Sequence, residues 1–592
     1  MLILDTEIYP NWFLLSMMDS DTGKVRHFER TDAQPFDGKT VGAIMRKYLT
    51  GSFNGLNFDL PLIAAAIKGA TPKMLKSLCD AIIIKKQPIW RVMRENDLDI
   101  PKAWDHIDII EVAPGQSGLK IYGGRIHSPT IQDLPIEPDQ IVTPEQMEML
   151  KAYCVNDLRV TQSLFEKLKG QVELRVSMSK EYGQDLRSKS DAQIAETVIL
   201  SEIKKITGQT YRAPQMPDGY AFRYKDPGFI SFKTPDLQDV FSRVLSERFA
   251  LSAYGQVQMH EWLRAAPIEY AGAKYQLGIG GIHSCEKSQY IKAHDGWVLE
   301  DRDVASYYPN IILGQTLYPE QLGKDFITVY QSIVDRRMIA KREGNKVSAD
   351  TLKICVNGSF GKLGSKYSAL YSPDLLIQVT VTGQLALLML IESLTLAGVN
   401  VISANTDGIV LHYPEHLANT VENACFEWSL NTSYTLEATR YKAIASRDVN
   451  NYLAVTLSGK IKGKGCFASS GLSKNPDGQI IYTAVAKQVA DGTPYQETIR
   501  ACRDIRDFVT VRRVQGGAVW RGEKLGKAVR FYISTSVPQS ECIHYATNSN
   551  RVPKSAGAFP LMTLPDTFPT DVDYHYYEVE AEKLLAEIGW RE

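Results

Sequence analysis

The 592-residue chain lacks several features that would narrow its class at once. Its eight cysteines are widely spaced and include no CxxC pair, which disfavours a structural zinc or iron–sulfur site and indicates a reducing compartment. The N-terminus, MLILDTEIYPNW, has acids where a secretory signal would have basic residues. No internal repeat is evident, and the formal net charge of −1 taken alone argues against a nucleic-acid partner. These absences predict a soluble intracellular protein, and the length of the chain predicts about four domains.

Two stretches stand out from this average composition. The most apolar one, LLIQVTVTGQLALLMLIESL from Leu375, is interrupted by polar residues, so it predicts a buried strand-to-helix segment rather than a membrane span. Residues 450–554 contain 16 Lys and Arg against 7 Asp and Glu, a local balance of +9. This composition favours a basic lobe that holds a polyanion, although scattered solvated lysines would give the same count.

Carboxylates recur in the first 60 residues at positions that bring them together. LILDTE is an apolar strand in which Asp5 and Glu7 project from the same face, where they repel each other unless a cation lies between them. Farther on, Asn54-Gly55 turns the chain, and Asp59 opens an apolar helix. Each pattern alone is common in structural settings.

A third pattern lies on a predicted helix near residue 150. Thr143 and Gln146 form a capping box, with Pro144 at the first helical position. The helix then carries Tyr153 and Asp157 at i and i+4, which places the phenol and the carboxylate on one face.

In this order the three patterns resemble the motifs of DEDD-type 3′–5′ proofreading exonucleases: D-x-E at 5–7, N-x3-F-D at 54–59 and Y-x3-D at 153–157. The resemblance implies an RNase H-like exonuclease domain whose two Mg²⁺ ions, with Mn²⁺ as a possible substitute, serve phosphodiester hydrolysis. The implied metal ligands are Asp5, Glu7, Asp59 and Asp157, and Tyr153 would position the attacking water.

The segment GWVLEDRDVASYYPNIILGQTLYP, from Gly296, reads as a strand that ends in acids and is followed by an aromatic-Pro step. A strand ending in a solvated turn does not explain a bulky aromatic pair beside Asp303. The segment resembles motif A, D-x-x-S-L-Y-P, of family B DNA polymerases, with Tyr307 in the Leu position. The resemblance implies that Asp303 binds both catalytic metals, that Ser306 and Tyr307 help to hold the triphosphate, and that Tyr308 is the steric gate.

Two helical runs, 325–343 and 348–364, are predicted to form an antiparallel hairpin through the Gly344-Asn345 turn. In the second run, KICVNGSFG resembles motif B, K-x3-N-S-x-Y-G, with Gly358 for Ser and Phe360 for Tyr. The family implies that this hairpin is the fingers. The residues expected to hold the incoming nucleotide are Arg337, Lys341, Lys353 and Asn357. Basic residues on helices usually lie in solvent, so that alternative stays open for the first two.

The stretch VNVISANTDGIVLHY, residues 399–413, predicts a hairpin in which Gly408 supplies a positive φ. It stands where the family has motif C, Y-x-D-T-D-S, but Ser403 replaces the Tyr, Asn405 replaces the first Asp and Gly408 replaces the Ser. Since the family's second Asp is the direct metal ligand, the resemblance makes Asp303 and Asp407 the catalytic pair.

Two further segments resemble elements that contact DNA in this family. RDVNNYLAV and the following SGKIKGKG are similar to its K-x-Y segment and K-G pair, but Asn450 stands in place of the Lys. KYQLGIGGIHS is similar to its Tyr-Gly-Gly element, for which a plain loop is an equal alternative. The implied DNA-binding residues are Tyr452, Lys462, Tyr275, Gly280 and Gly281.

The resemblance therefore implies an α/β multi-domain chain with an RNase H-like exonuclease and a right-hand polymerase. The predicted domains are the exonuclease at 1–170, a linker and the first part of an antiparallel palm at 171–324, the fingers at 325–364, the second part of the palm at 365–460, and the thumb and C-terminal region at 461–592. Only about fifty residues separate motifs A and B, too few for the insertion of protein-primed phage members. Small phage-encoded enzymes are the nearest likeness.

The expected function is DNA-templated DNA synthesis with proofreading. The expected partners are primer–template DNA and dNTPs, with no membrane partner, and the expected state is a monomer. The expected location is the cytoplasm, that of a bacterial host if the chain is phage-encoded. Two alternatives remain. One is an exonuclease with a decayed polymerase site, suggested by Asn405, Gly358 and Asn450, and the other is a noncatalytic DNA-binding replication factor that uses the basic lobe.

Overall fold

A computed structural model describes residues 1–468 and 471–590, which fall into two compact units. The first unit comprises Met1–Ser190, Ser470–Ile480 and Ala501–Tyr577. The second comprises Asp191–Ser469, Ile481–Arg500 and Glu578–Glu592. The mixed α/β, multi-domain architecture is confirmed, whereas the division into exonuclease, palm, fingers and thumb stays a prediction. Residues 501–577 belong to the same unit as residues 1–190, although the sequence grouped them with 461–500.

The N-terminal 190 residues contain a sheet and the helices that cover it. The strands are β1 (Leu2–Tyr9), β2 (Trp12–Asp19), β3 (Val25–Arg30), β4 (Thr50–Ser52) and β5 (His106–Asp108). The helices are α1 (Gly38–Lys47), α2 (Asp59–Ile67), α3 (Pro72–Ile83), α4 (Ile89–Glu95), α5 (Leu119–Arg125), α6 (Pro144–Lys167) and α7 (Lys169–Tyr182).

Residues 191–468 contain most of the remaining strands. These are β6 (Ala221–Phe222), β7 (Phe249–Leu251), β8 (Val257–Gln258), β9 (Ile268–Tyr270), β10 (Ala273–Leu277), β11 (Ile282–Ser284), β12 (Gln289–Lys292), β13 (Trp297–Val304), β14 (Asn400–Asn405), β15 (Gly408–Pro414), β16 (Leu436–Asp448), β17 (Asn451–Thr456) and β18 (Ile461–Gly463). The helices are α8 (Asp191–Thr207), α9 (Pro235–Ser246), α10 (Glu261–Ala265), α11 (Tyr307–Gly314), α12 (Asp325–Arg342), α13 (Lys346–Leu363), α14 (Pro373–Leu396) and α15 (Ala418–Thr432).

The C-terminal residues 471–590 add a small sheet and flanking helices. The strands are β19 (Thr510–Trp520), β20 (Glu523–Ile533), β21 (His544–Tyr545) and β22 (Ala558–Pro560). The helices are α16 (Gln479–Asp491), α17 (Tyr495–Ala501), α18 (Ile505–Phe508) and α19 (Tyr574–Glu587).

The sheet of the first unit has the order β3-β2-β1-β4-β5, so β1 is its central strand. β1, β2 and β3 are antiparallel neighbours, whereas β1, β4 and β5 run parallel. The predicted capping box begins α6: the Gln146 N–H donates to Thr143 Oγ1 at 3.3 Å, and the Thr143 N–H donates to Gln146 Oε1 at 2.9 Å. α6 packs across β1 and β2, which brings the helix over the acids of the central strand.

The large sheet of the second unit follows the order β18-β17-β16-β13-β15-β14-β11-β10-β9, with β12 beside β16. Its neighbours pair antiparallel. The helical hairpin predicted over 325–364 is present as α12 and α13, joined through Gly344, whose φ is +70°, and capped by the Asn345 side chain. Both helices belong to the same unit as this sheet.

The strand-to-helix prediction for the segment from Leu375 is wrong, because the whole segment is helical. Pro373 occupies the first turn of α14, where its missing N–H has no cost, and the helix continues to Leu396. Among the described helices, α14 alone is long and apolar enough to span a membrane by length and composition, and 83% of its apolar stretch is buried inside the protein. Burial on nearly all sides allows β-branched residues such as Val379 and Val381 in a core helix, since tertiary packing outweighs local propensity.

The basic stretch 450–554 does not form one lobe. Its residues are divided between the two units, with 501–554 in the first. Arg530 is fully buried and donates hydrogen bonds to the carbonyl oxygens of Leu561, Ser128 and Pro129. Desolvation lowers the pKa of its guanidinium to about 10. This arginine therefore holds backbone together and adds nothing to a polyanion-binding surface.

Candidate active sites

The first unit gathers the four predicted exonuclease carboxylates. Asp5 and Glu7 come from β1, Asp59 opens α2, and Asp157 lies on α6. Asp59 and Asp157 are only 2% and 6% exposed. Thr6 Oγ1, on the intervening residue of β1, donates to Asp59 Oδ1 at 2.6 Å and so fixes the α2 carboxylate against the strand.

Burial and the neighbouring charges both shift the pKa values of these groups. Burial raises the pKa of Asp5 well above its usual range, and the charges of Asp59, Glu7 and Asp157 raise it further. Burial likewise raises the pKa of Glu7, with the charge of Asp157 adding to it. The pKa of Asp59 rises to about 7, mainly through desolvation. Such mutual repulsion at neutral pH is what a divalent cation held by carboxylate oxygens would relieve.

Tyr153 precedes Asp157 by one turn of α6 and is nearly buried. Burial, followed by the charge of Asp157, raises the pKa of its phenol well above the usual value. The hydroxyl therefore stays protonated at neutral pH and can donate a hydrogen bond.

Three further residues of this site were not predicted, because no sequence motif marks them. The Lys120 ammonium, on α5, donates a hydrogen bond to Asp157 Oδ1 and lies 4.3 Å from the centre of the Tyr153 ring. The Cys154 thiol lies 3.4 Å from Asp5 Oδ2. Asp108, at the end of β5, accepts hydrogen bonds from the N–H groups of residues 54 and 56 at 2.7 and 3.0 Å, which fixes the turn that leads to Asp59.

Lys120→Met is expected to lower the unfolding temperature in the presence of a chelator by about 2–6 °C, or about 1–2 kcal/mol. The lysine lowers the pKa of Asp5, Glu7 and Asp157, so its removal leaves the carboxylates without their positive neighbour. Thermal unfolding with EDTA and with Mn²⁺ measures the effect, because Mn²⁺ should restore most of the loss. Lys102→Met, at an exposed lysine of the same unit, is the matched control. An EDTA transition unchanged by Lys120→Met would contradict this role.

In the second unit, Asp303 and Asp407 meet across neighbouring strands. Asp303 lies on β13 directly opposite Gly408 of β15, and Asp407 is the residue before it in the β14–β15 turn. The Val304 N–H donates to the Asp407 carbonyl oxygen at 2.7 Å, which ties the turn to the end of β13. The predicted hairpin is therefore present, and it brings the two acids of motifs A and C together.

The prediction that Gly408 supplies a positive φ is wrong. Among the described residues of the turn, the left-handed conformation belongs to Thr406, with φ +58°. Glycine at 408 has a different effect, because a Cβ there would lie 2.1 Å from Asp303 Oδ1 and would displace that carboxylate. The missing side chain makes room for the carboxylate.

Asp301, Asp303 and Asp407 line a cavity of ≈ 150 Å³, here called the acidic cavity, together with Asn405, Tyr441, Tyr452, Lys462 and Lys464. Asp303 is exposed to solvent. Desolvation by the surrounding protein nevertheless raises the pKa of its carboxyl to about 7, and the charges of Asp301 and Asp407 contribute to the rise. Desolvation also raises the pKa of Asp407, and Lys464 opposes the shift. The carboxylate oxygens suit hard divalent cations such as Mg²⁺ or Mn²⁺.

A second cavity of ≈ 350 Å³, here called the tyrosine cavity, adjoins Asp407. Its described lining residues include five predicted ones, Ser306, Tyr307, Tyr308, Arg337 and Asn357, together with Phe360. The Tyr308 ring lies 4.4 Å from the Phe360 ring, and its hydroxyl donates to the Gly280 carbonyl oxygen. The Tyr307 hydroxyl donates to the Gly383 carbonyl oxygen at 2.6 Å, so Tyr307 is anchored in the core.

Among the predicted cations, Arg337 is the one that lines this cavity. Its Nη1 lies 3.5 Å from Ser306 Oγ, and its Nε is buried without a hydrogen-bond partner among the described residues. A buried donor without a partner is costly unless an acceptor arrives, and a phosphate oxygen is a suitable acceptor. Lys341 and Lys353 are exposed on α12 and α13 and do not belong to the described lining. Their contact with a nucleotide stays a prediction.

Two departures from the family motifs have structural explanations. A Cβ at Gly358 would lie 2.7 Å from the Asp191 carbonyl oxygen and 2.8 Å from Ala195 Cβ, so α13 can pack on α8 only with glycine there. The Asn405 side-chain amide donates to the Val449 carbonyl oxygen at 2.9 Å, which an ionised aspartate could not do.

The predicted DNA-contacting residues have different surroundings. Tyr452 and Lys462 line the acidic cavity. Tyr275 is only 2% exposed on β10, and burial raises its pKa to about 12, so its ring is not available on the surface for a template strand. Gly281 packs against the β14–β15 turn, where a Cβ would lie 2.9 Å from Thr406 Cγ2, while Gly280 is exposed. The glycines thus form a β10–β11 hairpin that supports the turn carrying Asp407.

No protein family matches the sequence, and no curated protein matches it either. Among solved structures, the chain is similar to the family B DNA polymerase from the hyperthermophilic archaeon Pyrobaculum calidifontis. The identity is 13%, the match covers 99% of this chain and 77% of that chain, and the TM-score is 0.42.

Proposed function

We propose that the chain is a family B DNA polymerase that adds dNTPs to a primer 3′ end and proofreads with a 3′–5′ exonuclease. The observation that carries the proposal is the approach of Asp303 and Asp407, which are more than 100 residues apart, beside a cavity lined by Arg337 and Tyr308. A separate cluster of buried carboxylates in the first unit supports the second activity.

In DNA synthesis, the primer 3′ hydroxyl would attack the α-phosphate of the incoming dNTP, and pyrophosphate would leave. Asp303 and Asp407 would hold two Mg²⁺ ions, which activate the hydroxyl and neutralise charge on the leaving group. Arg337 would bind the triphosphate through its unpartnered Nε, and Tyr308 would close the cavity against a ribose 2′ hydroxyl. Lys341, Lys353 and Asn357 are proposed to add further contacts with the nucleotide.

In proofreading, Asp5, Glu7, Asp59 and Asp157 would hold the divalent ions, and the protonated Tyr153 would orient water toward the terminal phosphodiester. Lys120 balances the carboxylates from the side of Asp157. Mn²⁺ is the proposed substitute for Mg²⁺ at either site, because both cations accept oxygen ligands.

The proposed partners are primer–template DNA and dNTPs, and the proposed state is a monomer. We also propose a role in phage genome replication in the cytoplasm of a bacterial host. This part rests on the likeness of the motifs to those of small phage-encoded members, and the short distance between motifs A and B argues against protein priming.

The main rival is an exonuclease with a decayed polymerase site. The structural tasks of Asn405 and Gly358 weaken it, because both departures follow from local packing. Primer extension with Mg²⁺ and all four dNTPs on a gapped template decides between them. Degradation of the 3′ end without any extension would defeat the polymerase proposal. A noncatalytic DNA-binding factor would bind the template but neither extend nor degrade the primer.

Tyr308→Val is expected to raise ribonucleotide incorporation relative to deoxyribonucleotide incorporation by about tenfold or more. The substitution removes the ring that adjoins Phe360 and opens space in the tyrosine cavity. Single-nucleotide extension with matched rNTP and dNTP measures the ratio. Tyr308→Phe is the matched control, because it keeps the ring and removes only the hydroxyl bonded to Gly280. Unchanged selectivity in the Val variant would show that another residue excludes the ribose hydroxyl.

A further inference from the structure

Asn450 leaves a position near the acidic cavity without the cation that the family motif has there. It is exposed in the turn between β16 and β17, and its backbone N–H donates to Asp448 Oδ1 at 3.0 Å. Lys462, on the neighbouring strand β18, lines the acidic cavity. Its place is fixed by the pairing of β18 with β17, in which Lys462 lies opposite Ala454.

The Lys462 ammonium belongs to a chain of contacts that ends on a carboxylate. Its Nζ lies 3.3 Å from the Tyr441 hydroxyl oxygen and 5.3 Å from the centre of the Tyr441 ring. The Tyr441 hydroxyl in turn donates to Asp301 Oδ2 at 2.7 Å. Each group in this sequence donates to the next, so the hydrogen bonds polarise one another.

The sheet fixes the two inner members of this chain. Asp301 pairs with Thr439 across β13 and β16, which makes Tyr441 a diagonal neighbour on the same face. Tyr441 is 2% exposed, so its ring has little freedom. Lysine otherwise carries a compact charge on a flexible stem, and an anchored hydroxyl beside it restricts where the ammonium lies.

We propose that Asp301 is a positioning residue that acts through Tyr441 to hold Lys462 at the acidic cavity, where the ammonium receives a phosphate of the primer strand. The inference rests on the proposed polymerase function. It assigns Asp301 a task different from that of Asp303, two residues farther along the same strand. Lys462 supplies in this way the cation that Asn450 does not.

Binding of a primer–template duplex, followed by fluorescence anisotropy in EDTA at several salt concentrations, tests the proposal. Lys462→Met is expected to raise the Kd about 5- to 10-fold. It should also reduce the slope of log Kd against log salt concentration by the amount that corresponds to the loss of about one phosphate contact. Tyr441→Phe and Asp301→Ala should each raise the Kd about threefold, but neither should add to the effect of Lys462→Met in a double variant. Asp301→Asn should recover most of the affinity, because its amide oxygen still accepts from Tyr441.

Lys460→Met is the matched control, since this exposed lysine lies on the same hairpin outside the described lining of the acidic cavity. Three results would overturn the inference: unchanged binding in Asp301→Ala, additive losses in the double variants, or an Asn variant no better than Ala. The last would show that binding depends on the negative charge of Asp301 and not on its hydrogen bond from Tyr441. Thermal unfolding and 3′ degradation verify that each variant is folded. If Asp301→Ala does not fold, Tyr441→Phe, which keeps the ring, still tests the series of hydrogen bonds from Lys462 to Asp301. A wild-type chain that neither binds nor extends the primer would instead defeat the proposed function.

Discussion

Asp407→Ala is expected to abolish primer extension, with a loss of about 10²–10³-fold or more, and to leave 3′ degradation at the wild-type rate. The variant removes one of the two carboxylates that meet between β13 and β15, and Asn405 cannot replace its charge. Extension and degradation of the same labelled primer, with and without dNTPs, measure both activities in one preparation.

Asp295→Ala provides the matched control for this experiment. Asp295 is an exposed acid of the same unit, outside the described lining of both cavities. Its removal should change neither activity. Equal loss of extension and degradation in Asp407→Ala would contradict two separate sites, and retained extension would remove Asp407 from the proposed catalytic pair.

Asp5→Ala is expected to give the opposite result, with 3′ degradation lowered by about 10²–10³-fold or more and primer extension retained. The substitution should not lower the stability of the protein. The folded state raises the pKa of Asp5, so it binds that proton more tightly than the unfolded chain does. Stability from this group is therefore present at low pH and is lost as the pH rises above the usual carboxyl range. At pH 7 to 8 in EDTA, the variant should unfold at the same temperature as the wild type or higher.

Asp99→Ala, at an exposed acid of the first unit, is the control for this loss. Mispair extension adds an independent measurement: the Asp5→Ala variant should extend a mismatched primer without first trimming it. Wild-type degradation by Asp5→Ala would exclude Asp5 as a metal ligand, and a lowered unfolding temperature would contradict the expected repulsion among the carboxylates.

The elements that carry the motifs could be predicted from the sequence because their signals are local. β1, the capping box of α6 and the β14–β15 hairpin each depend on residues within about twenty positions, and the α12–α13 hairpin depends on two helical runs joined by a short turn. The prediction for the segment from Leu375 was wrong because it too relied on local signals. Its β-branched residues favour a strand locally, whereas burial on nearly all sides makes it a helix.

The residues that the sequence did not reveal depend on contacts between distant elements. Lys120 reaches Asp157 because α5 packs against α6, and Tyr441 meets Asp301 because β16 pairs with β13 in one particular register. Neither lysine nor tyrosine carries a local signature for such a task. The same limit applies to Gly408, since only the pairing of β13 with β15 shows that a side chain at 408 would displace the Asp303 carboxylate.

The hydrogen bond from the Asn405 amide to the Val449 carbonyl determines which residues position 405 can accept. Aspartate at 405 would place a carboxylate against that carbonyl oxygen and leave the acceptor without its donor, at a cost of about 1–3 kcal/mol. Asn405→Asp would therefore lower the stability of the fold even though it adds a negative charge beside Asp407. The strand next to residue 405 thus favours asparagine there, and an aspartate would be tolerated only together with a change near Val449.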